Sequence, residues 1–197
     1  MPRRTQEDTA KTRQCILDKA LEIFLKQGYS LTRLEDIANA AHVTRGAIYW
    51  HFKSGKVAIY ETLINESGQD LEDLLHRIMN TSQTGPTKLK QFMLGWADLL
   101  VSQPVYRQVT ELILFKTEVI PELEQGVQQK RESMLQFQQL LSRWLSDEYQ
   151  PKQADELASI VLASCWGLIE YWLLMHQNFP LSERTSLLLN RLISKGD

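Results

Sequence analysis

Pro104, Pro121, Pro151 and Pro180 cut the second half of the chain into segments whose apolar residues recur every three or four positions. Each proline stands where a helix can begin, because its missing N–H and fixed φ are harmless in a first helical turn. No segment shows the strict apolar–polar alternation of a half-buried strand. The expected fold is therefore all-α, with about nine helices. It divides into a three-helix head over residues 1–55 and a helical body over residues 56–197.

The head is the more informative part. Residues 1–8 are expected to form a flexible arm carrying Arg3 and Arg4. A first helix is expected over residues 9–27. Ile16, Leu17, Ala20, Ile23 and Phe24 line one face of it, and Gly28 suits its C-terminal cap. Thr32, Arg33, Leu34 and Glu35 match the capping-box pattern, which starts a short second helix running to about Ala41. His42 and Val43 supply a tight turn, and Thr44 caps a third helix. Two short helices joined by such a turn form a helix-turn-helix, whose second helix enters the major groove of DNA.

That second helix reads TRGAIYWHFK over residues 44–53. Ile48 and Phe52 lie four apart and anchor it to a core. Arg45 is a bidentate donor suited to a guanine edge, and Thr44 and Ala47 suit a thymine methyl or nearby backbone. Gly46 and Ala47 keep the surface small enough for close approach. Tyr49, His51 and Lys56 suit phosphate contacts, which set register. Tyr49 is otherwise a half-core residue and His51 a neutral side chain bonded within the turn. Trp50 either wedges on the sugar–phosphate backbone or covers the head's core. Arg33 either adds a phosphate contact or extends into solvent.

Charge supports the division. Residues 1–56 hold 10 basic and 6 acidic side chains, a net of +4, whereas residues 57–197 hold 12 and 18, a net of −6. A basic head on an acidic body suits a head that meets a polyanion. The two thiols, Cys15 and Cys165, are far apart beside apolar neighbours and are expected to be buried and free, as in a reducing cytoplasm. Positions 1–13 are polar and charged, so no signal peptide is expected.

In the body, helices are expected over residues 56–80, 87–101, 104–116, 121–146, 152–177 and 181–195, with a loop broken by Gly85 and Pro86. Gly68 interrupts the fourth helix. It is either a tolerated or closely packed residue, or a flexible point where head joins body. Residues 157–175 are apolar almost all round and long enough to cross a membrane. Glu170, Ser159 and Ser164 interrupt them, which favours a helix packed on its own body and on a partner. With the leucine-rich helix at 181–195 it suits a four-helix interface in a symmetric homodimer.

The residues Ile16, Leu17, Ala20, Phe24, Gly28, Tyr29, Thr32, Asp36, Ile37, Ala38, Ala41, Val43, Thr44, Gly46, Tyr49, His51, Phe52 and Lys56, at these spacings, resemble the TetR/AcrR family of bacterial transcriptional regulators. The stretch TRGAIYWHFK looks most like the branch that represses multidrug efflux pumps. ELILFKTE over residues 111–118 and GLIEYWLL over residues 167–174 are similar to segments of that branch. Two departures stand out. The turn Lys53-Ser54-Gly55 carries one residue more than the family pattern before Lys56. Arg33 replaces a small hydroxyl residue.

The resemblance implies a dimeric repressor on a pseudo-palindromic double-stranded DNA operator, released by a small effector held within the body. Phe92, Trp96, Phe115, Met134, Phe137, Trp166 and Trp172 are adaptable apolar surfaces for a lipophilic ligand, or ordinary core residues. Glu111, Glu118 and Glu170 are either counter-charges for a cationic ligand or salt-bridged acids on helix flanks. No cofactor or metal is implied. His42, His51, His76 and His176 are scattered, and no nucleophile–base pair or Gly-rich phosphate loop suggests an enzyme.

Overall fold

In a computed structural model, residues 6–118 and 120–193 are described. Arg3, Arg4 and the expected end of the last helix past Ile193 lie outside the described residues. Nine α-helices and one 3-10 turn make up the described secondary structure. They are α1 (Gln6–Gln27), α2 (Leu34–Ala40), α3 (Arg45–His51), α4 (Lys56–Met79), α5 (Gly85–Ser102), α6 (Pro104–Phe115), the 3-10 turn Pro121–Leu123, α7 (Glu124–Leu145), α8 (Pro151–Leu174) and α9 (Leu181–Leu192).

Two boundaries differ from expectation for clear reasons. Helix α1 starts at Gln6, inside the stretch read as an arm, with Glu7 and Asp8 in its first turn, where acids favour the helix dipole. Gly85 and Pro86 open α5 instead of breaking the chain before it. A proline in the first turn forfeits no hydrogen bond.

The chain folds into two compact units. The first comprises the residues up to Gly68 together with Gln108–Gly126. Its core holds Ile16, Leu17, Phe24, Tyr29, Ile37, Ile48, Ile59 and Leu112, each at most 1% exposed. Tyr29 packs on Phe24 and Tyr60 in a triangle of rings, with centroids 5.4 and 4.9 Å away. Its backbone N–H donates to Lys116 O at 2.8 Å, and Tyr60 and Thr117 hydroxyls lie 3.1 Å apart. The first bond ties the segment after α6 to the turn after α1, and the second ties it to α4.

The second unit comprises Gln69–Arg107 and the described chain from Val127 on. Helix α9 packs on α5 and on α8. Ala154, Ala158, Val161, Cys165, Ile169 and Trp172 form the buried face of α8. This helix is long and apolar enough to cross a membrane by length and composition, but that buried face is committed to its own unit. Its other side shows Ile160, Tyr171 and Leu174, each about half exposed. Cys165 is buried, and burial pushes its thiol pKa up to about 12. Cys15, expected to be buried, is exposed, because it stands one position outside the core face of α1 begun by Ile16.

Gly68 is the last residue of its stretch of the first unit, and a Cβ built on it meets nothing within 4 Å. Close packing is therefore not the reason for this glycine. Gly68→Ala is expected to stabilise the protein by about 1 kcal/mol through helix propensity alone. Urea unfolding of the two proteins checks this; a destabilised variant would show that the position carries strain.

Candidate nucleic-acid interface and body aromatic cluster

The head presents α3 by local rules. Thr44 is the N-cap, and its Oγ1 accepts from Ala47 N at 3.1 Å. Ile48 and Phe52 are 0% and 3% exposed. Burial of each contributes about 1.5–3 kcal/mol, enough to hold a helix too short to persist alone. The turn before it closes with His42 in the left-handed region at φ 53°. Val43 N then donates to Ala38 O at 2.9 Å.

The cap of α2 sits one residue later than the sequence pattern suggests. Arg33, not Thr32, is the N-cap residue, and its backbone N–H donates to Asp36 Oδ2 at 2.9 Å. Arg33 has no side-chain acceptor, so only this half of a capping box operates. Thr32 is 2% exposed and donates to Gly28 O at 2.7 Å, which braces the turn below. Glu35 is thereby free to face α3, where its Oε1 lies 3.6 Å from Arg45 Nη1. Both groups are more than half exposed, so the pair orients Arg45 but adds little stability.

The expected contact residues fall into two groups. Arg33, Thr44, Arg45, Gly46, Tyr49 and Trp50 are exposed, with Trp50 at 68%, while Ala47 and His51 are half-buried. A Cβ on Gly46 would meet only Thr44 Oγ1, at an ordinary 3.7 Å. The protein's own packing does not need a glycine there. The Trp50 ring stands edge-on to His51, with centroids 4.6 Å apart. Tyr49 lies over Gly55, whose φ of 60° favours glycine and whose added Cβ would stand 3.2 Å from the tyrosine ring.

Lys56 belongs to the second group and turns inward. Its Nζ donates to Tyr29 O at 3.1 Å, sits 4.2 Å from the Tyr29 ring centroid and lies 3.7 Å from Glu122 Oε1. Lys56 is the first residue of α4, after the turn through Gly55. Lys53 and Ser54 remain exposed at the turn itself. Lys56→Met is therefore expected to lower stability by about 1–3 kcal/mol, losing a charge-assisted hydrogen bond and a cation–π contact. Lys53→Ala is expected to leave stability within about 0.5 kcal/mol of the parent. Thermal unfolding of the pair separates them; equal melting temperatures would refute the inward role.

Of the expected ligand residues, Phe92, Trp96, Met134, Phe137, Trp166 and Glu170 belong to the second unit, which brings four of them into two ring pairs, and Glu111 and Phe115 belong to the first. Phe92 and Phe137 rings lie 5.0 Å apart, and those of Trp96 and Trp166 lie 5.6 Å apart. Met134 is 38% exposed on α7, between Lys130 and Phe137 in sequence. Glu170 is half-buried one turn beyond Trp166. Glu118 is exposed, and Trp172, at 3% exposure, donates its indole N–H to Phe179 O at 3.0 Å, as a core residue does.

Two residues of this cluster escaped the sequence reading. Trp96 Nε1 donates to Tyr106 Oη at 2.8 Å, and burial pushes the Tyr106 phenol up to about 12. Lys130 Nζ stands 5.3 Å from the Trp166 ring centroid. The signal for Lys130 was its spacing, since residues 130, 134 and 137 share one face of a helix. Among the described residues, no group of three or more His, Cys, Asp or Glu has metal-binding geometry.

Comparison with known proteins gives this geometry a context. The model of "Bacterial regulatory proteins, tetR family" matches residues 16–63, which span α1 to the first turns of α4. The chain is 32% identical over 190 residues to the HTH-type transcriptional regulator AcrR of Shigella flexneri, covering 93% of this chain and 88% of that protein. It is 29% identical over 188 residues to the regulator TtgR of Pseudomonas putida, covering 92% and 89%. Among solved structures it is similar to NalD, described as the secondary repressor of the MexAB-OprM multidrug efflux pump in Pseudomonas aeruginosa. There the TM-score is 0.81 at 27% identity, covering 95% of this chain and 96% of that one.

Proposed function

The chain belongs to the TetR family of bacterial regulatory proteins, and from that premise we propose that it is a ligand-responsive transcriptional repressor controlling an efflux operon or a related one. Residues 1–55 are the DNA-binding domain and residues 56–197 the effector-binding and dimerisation domain. The observation that carries this reading is α3 itself. It is capped by Thr44, held from below by buried Ile48 and Phe52, and shows Arg45, Gly46, Tyr49 and Trp50 to solvent. Arg45 reads a guanine edge, and Thr44 and Ala47 touch a thymine methyl or backbone. Gly46 lets the helix approach the groove, which fits the absence of any internal need for a glycine there. Tyr49, His51 and Arg33 contact phosphates. Lys53 takes the phosphate role that the family pattern gives to the lysine after this turn.

The repressor works as a homodimer in the cytoplasm, where its operator is. The half-exposed Ile160, Tyr171 and Leu174 of α8 and Leu187 of α9 support a self-complementary apolar interface. Gly167 lies between them on α8, exposed and with nothing within 4 Å of an added Cβ, so a second helix has room to approach. Two recognition helices then enter successive major grooves about 34–36 Å apart. Both α4 and α6 run from one compact unit into the other, at Gly68 and Gln108, and offer routes for an effector bound in the body to change head spacing. The effector acts only through different affinities for the two spacings.

Selection of bound duplexes from random sequence is the direct test. The expected result is a pseudo-palindrome whose affinity falls steeply with salt. A pool with no enriched sequence would overturn the regulator reading.

A further inference from the structure

The amino-terminal half of α7 is weakly held. From Glu124 to Gln136 nearly every residue is exposed, including Leu135 at 54%. The face formed by Lys130, Met134 and Phe137 is the one turned toward the rest of its unit. Phe137 meets Phe92 of α5, and Lys130 reaches Trp166 of α8. Beyond Trp166 lies Trp96, whose indole N–H is engaged by Tyr106. Two indoles thus stand side by side, with one ammonium over the outer ring.

The ammonium is the unusual part. Although Lys130 as a residue is exposed, burial around its Nζ lowers its pKa from the ordinary lysine value. Among the described residues no carboxylate lies within ion-pair distance of it. A cation whose partner among the described residues is an indole face is left open to an anion. Nor does the Tyr106 phenol beside Trp96 add negative charge, because burial keeps it protonated at neutral pH. An anion carrying a flat apolar body would satisfy every group at once.

We propose that Trp96, Trp166, Phe137 and Lys130 bind a planar aromatic anion, with its ring against the indoles and its carboxylate or phenolate on Lys130 Nζ. This assignment rests on the effector reading above and narrows it, since it selects anionic aromatic effectors over the cationic ones that Glu111, Glu118 and Glu170 suggested.

Three probes of one shape decide it by tryptophan fluorescence or calorimetry on the full chain. They are 2-naphthoate, the neutral 2-naphthamide and a naphthyl-trimethylammonium cation. Wild-type protein is expected to bind naphthoate at least tenfold tighter than naphthamide, about 1.4 kcal/mol, and to bind the cation weakest. Lys130→Met is expected to remove that preference while naphthamide binding persists, and Lys130→Arg to retain it. Equal affinities for naphthoate and naphthamide in wild type would overturn the proposal, as would a preference for the cation. So would an unchanged preference in Lys130→Met. Operator binding by the ligand-free protein is measured on the same preparations. Its loss would refute the regulator reading, whereas intact operator binding without anion preference refutes only this site.

Discussion

Arg45→Ala is expected to weaken operator binding by about 1–3 kcal/mol for each half-site, and to do so at one base pair per half-site. For the proposed dimer on a palindrome the effect is expected to double, to roughly 2–6 kcal/mol in all. Specificity is lost because a guanidinium forms two parallel hydrogen bonds with the guanine O6 and N7 atoms, and alanine forms none. Folding is expected to be intact. Arg45 is more than half exposed, and its one ion pair, to Glu35 at 3.6 Å, lies at the surface. Titration of the selected operator and its single-base variants, at two salt concentrations, separates the outcomes. A reader of bases loses discrimination at one position and keeps most of its salt dependence. Weakening that is uniform across all sequences would recast Arg45 as a phosphate contact.

The largest stability effect is expected at Gly85, in the second unit. Gly85→Ala should destabilise the protein by about 3 kcal/mol or more, at the upper end of overpacking costs. A Cβ at Gly85 would lie 1.8 Å from Trp144 O and 2.4 Å from Trp144 C. Both are backbone atoms in the last turn of α7, so no side-chain rotation relieves the clash. The start of α5 and the end of α7 would have to separate. That would also strain the bond from Gly85 N to Asp147 Oδ2, now 2.7 Å. Gly95→Ala is the control. Its Cβ would meet Leu74 Cδ2 at 2.7 Å, the end of a half-buried and movable side chain. A cost under about 1 kcal/mol is expected there, partly offset by helix propensity. Denaturant midpoints for the two variants check the contrast. A Gly85→Ala protein as stable as Gly95→Ala would refute the close approach of α5 and α7.

The two predictions draw on different kinds of information. Arg45 was readable without a structure, because a capped short helix with anchors at Ile48 and Phe52 leaves few ways for Arg45 to point. The helices themselves were equally readable, down to the prolines that open α6 and α8. Gly85 was not readable. It stood beside Pro86 and looked like a loop, and only the arrival of Trp144 makes its missing Cβ indispensable. The internal partners of Lys56 were hidden for the same reason. Its neighbours in sequence suit a phosphate contact, whereas its partners Tyr29 and Glu122 lie 27 and 66 positions away in the chain. The cap of α2 slipped by one residue because Thr32 had a stronger option: its hydroxyl found the carbonyl of Gly28 in the turn beneath.

By itself the sequence determined an all-α chain with a helix-turn-helix head, and it placed Arg45, Tyr49 and Trp50 on the exposed face of α3. Those features depend on contacts within about one or two helical turns, which apolar period, caps and prolines encode directly. Tertiary structure alone decided that Lys56 meets Tyr29 and Glu122, that Glu35 faces Arg45, and that Lys130 sits over Trp166. Each of these is a pairing between groups on different segments of the chain. Side-chain charge says only that such groups seek partners, and packing decides which partners come within reach.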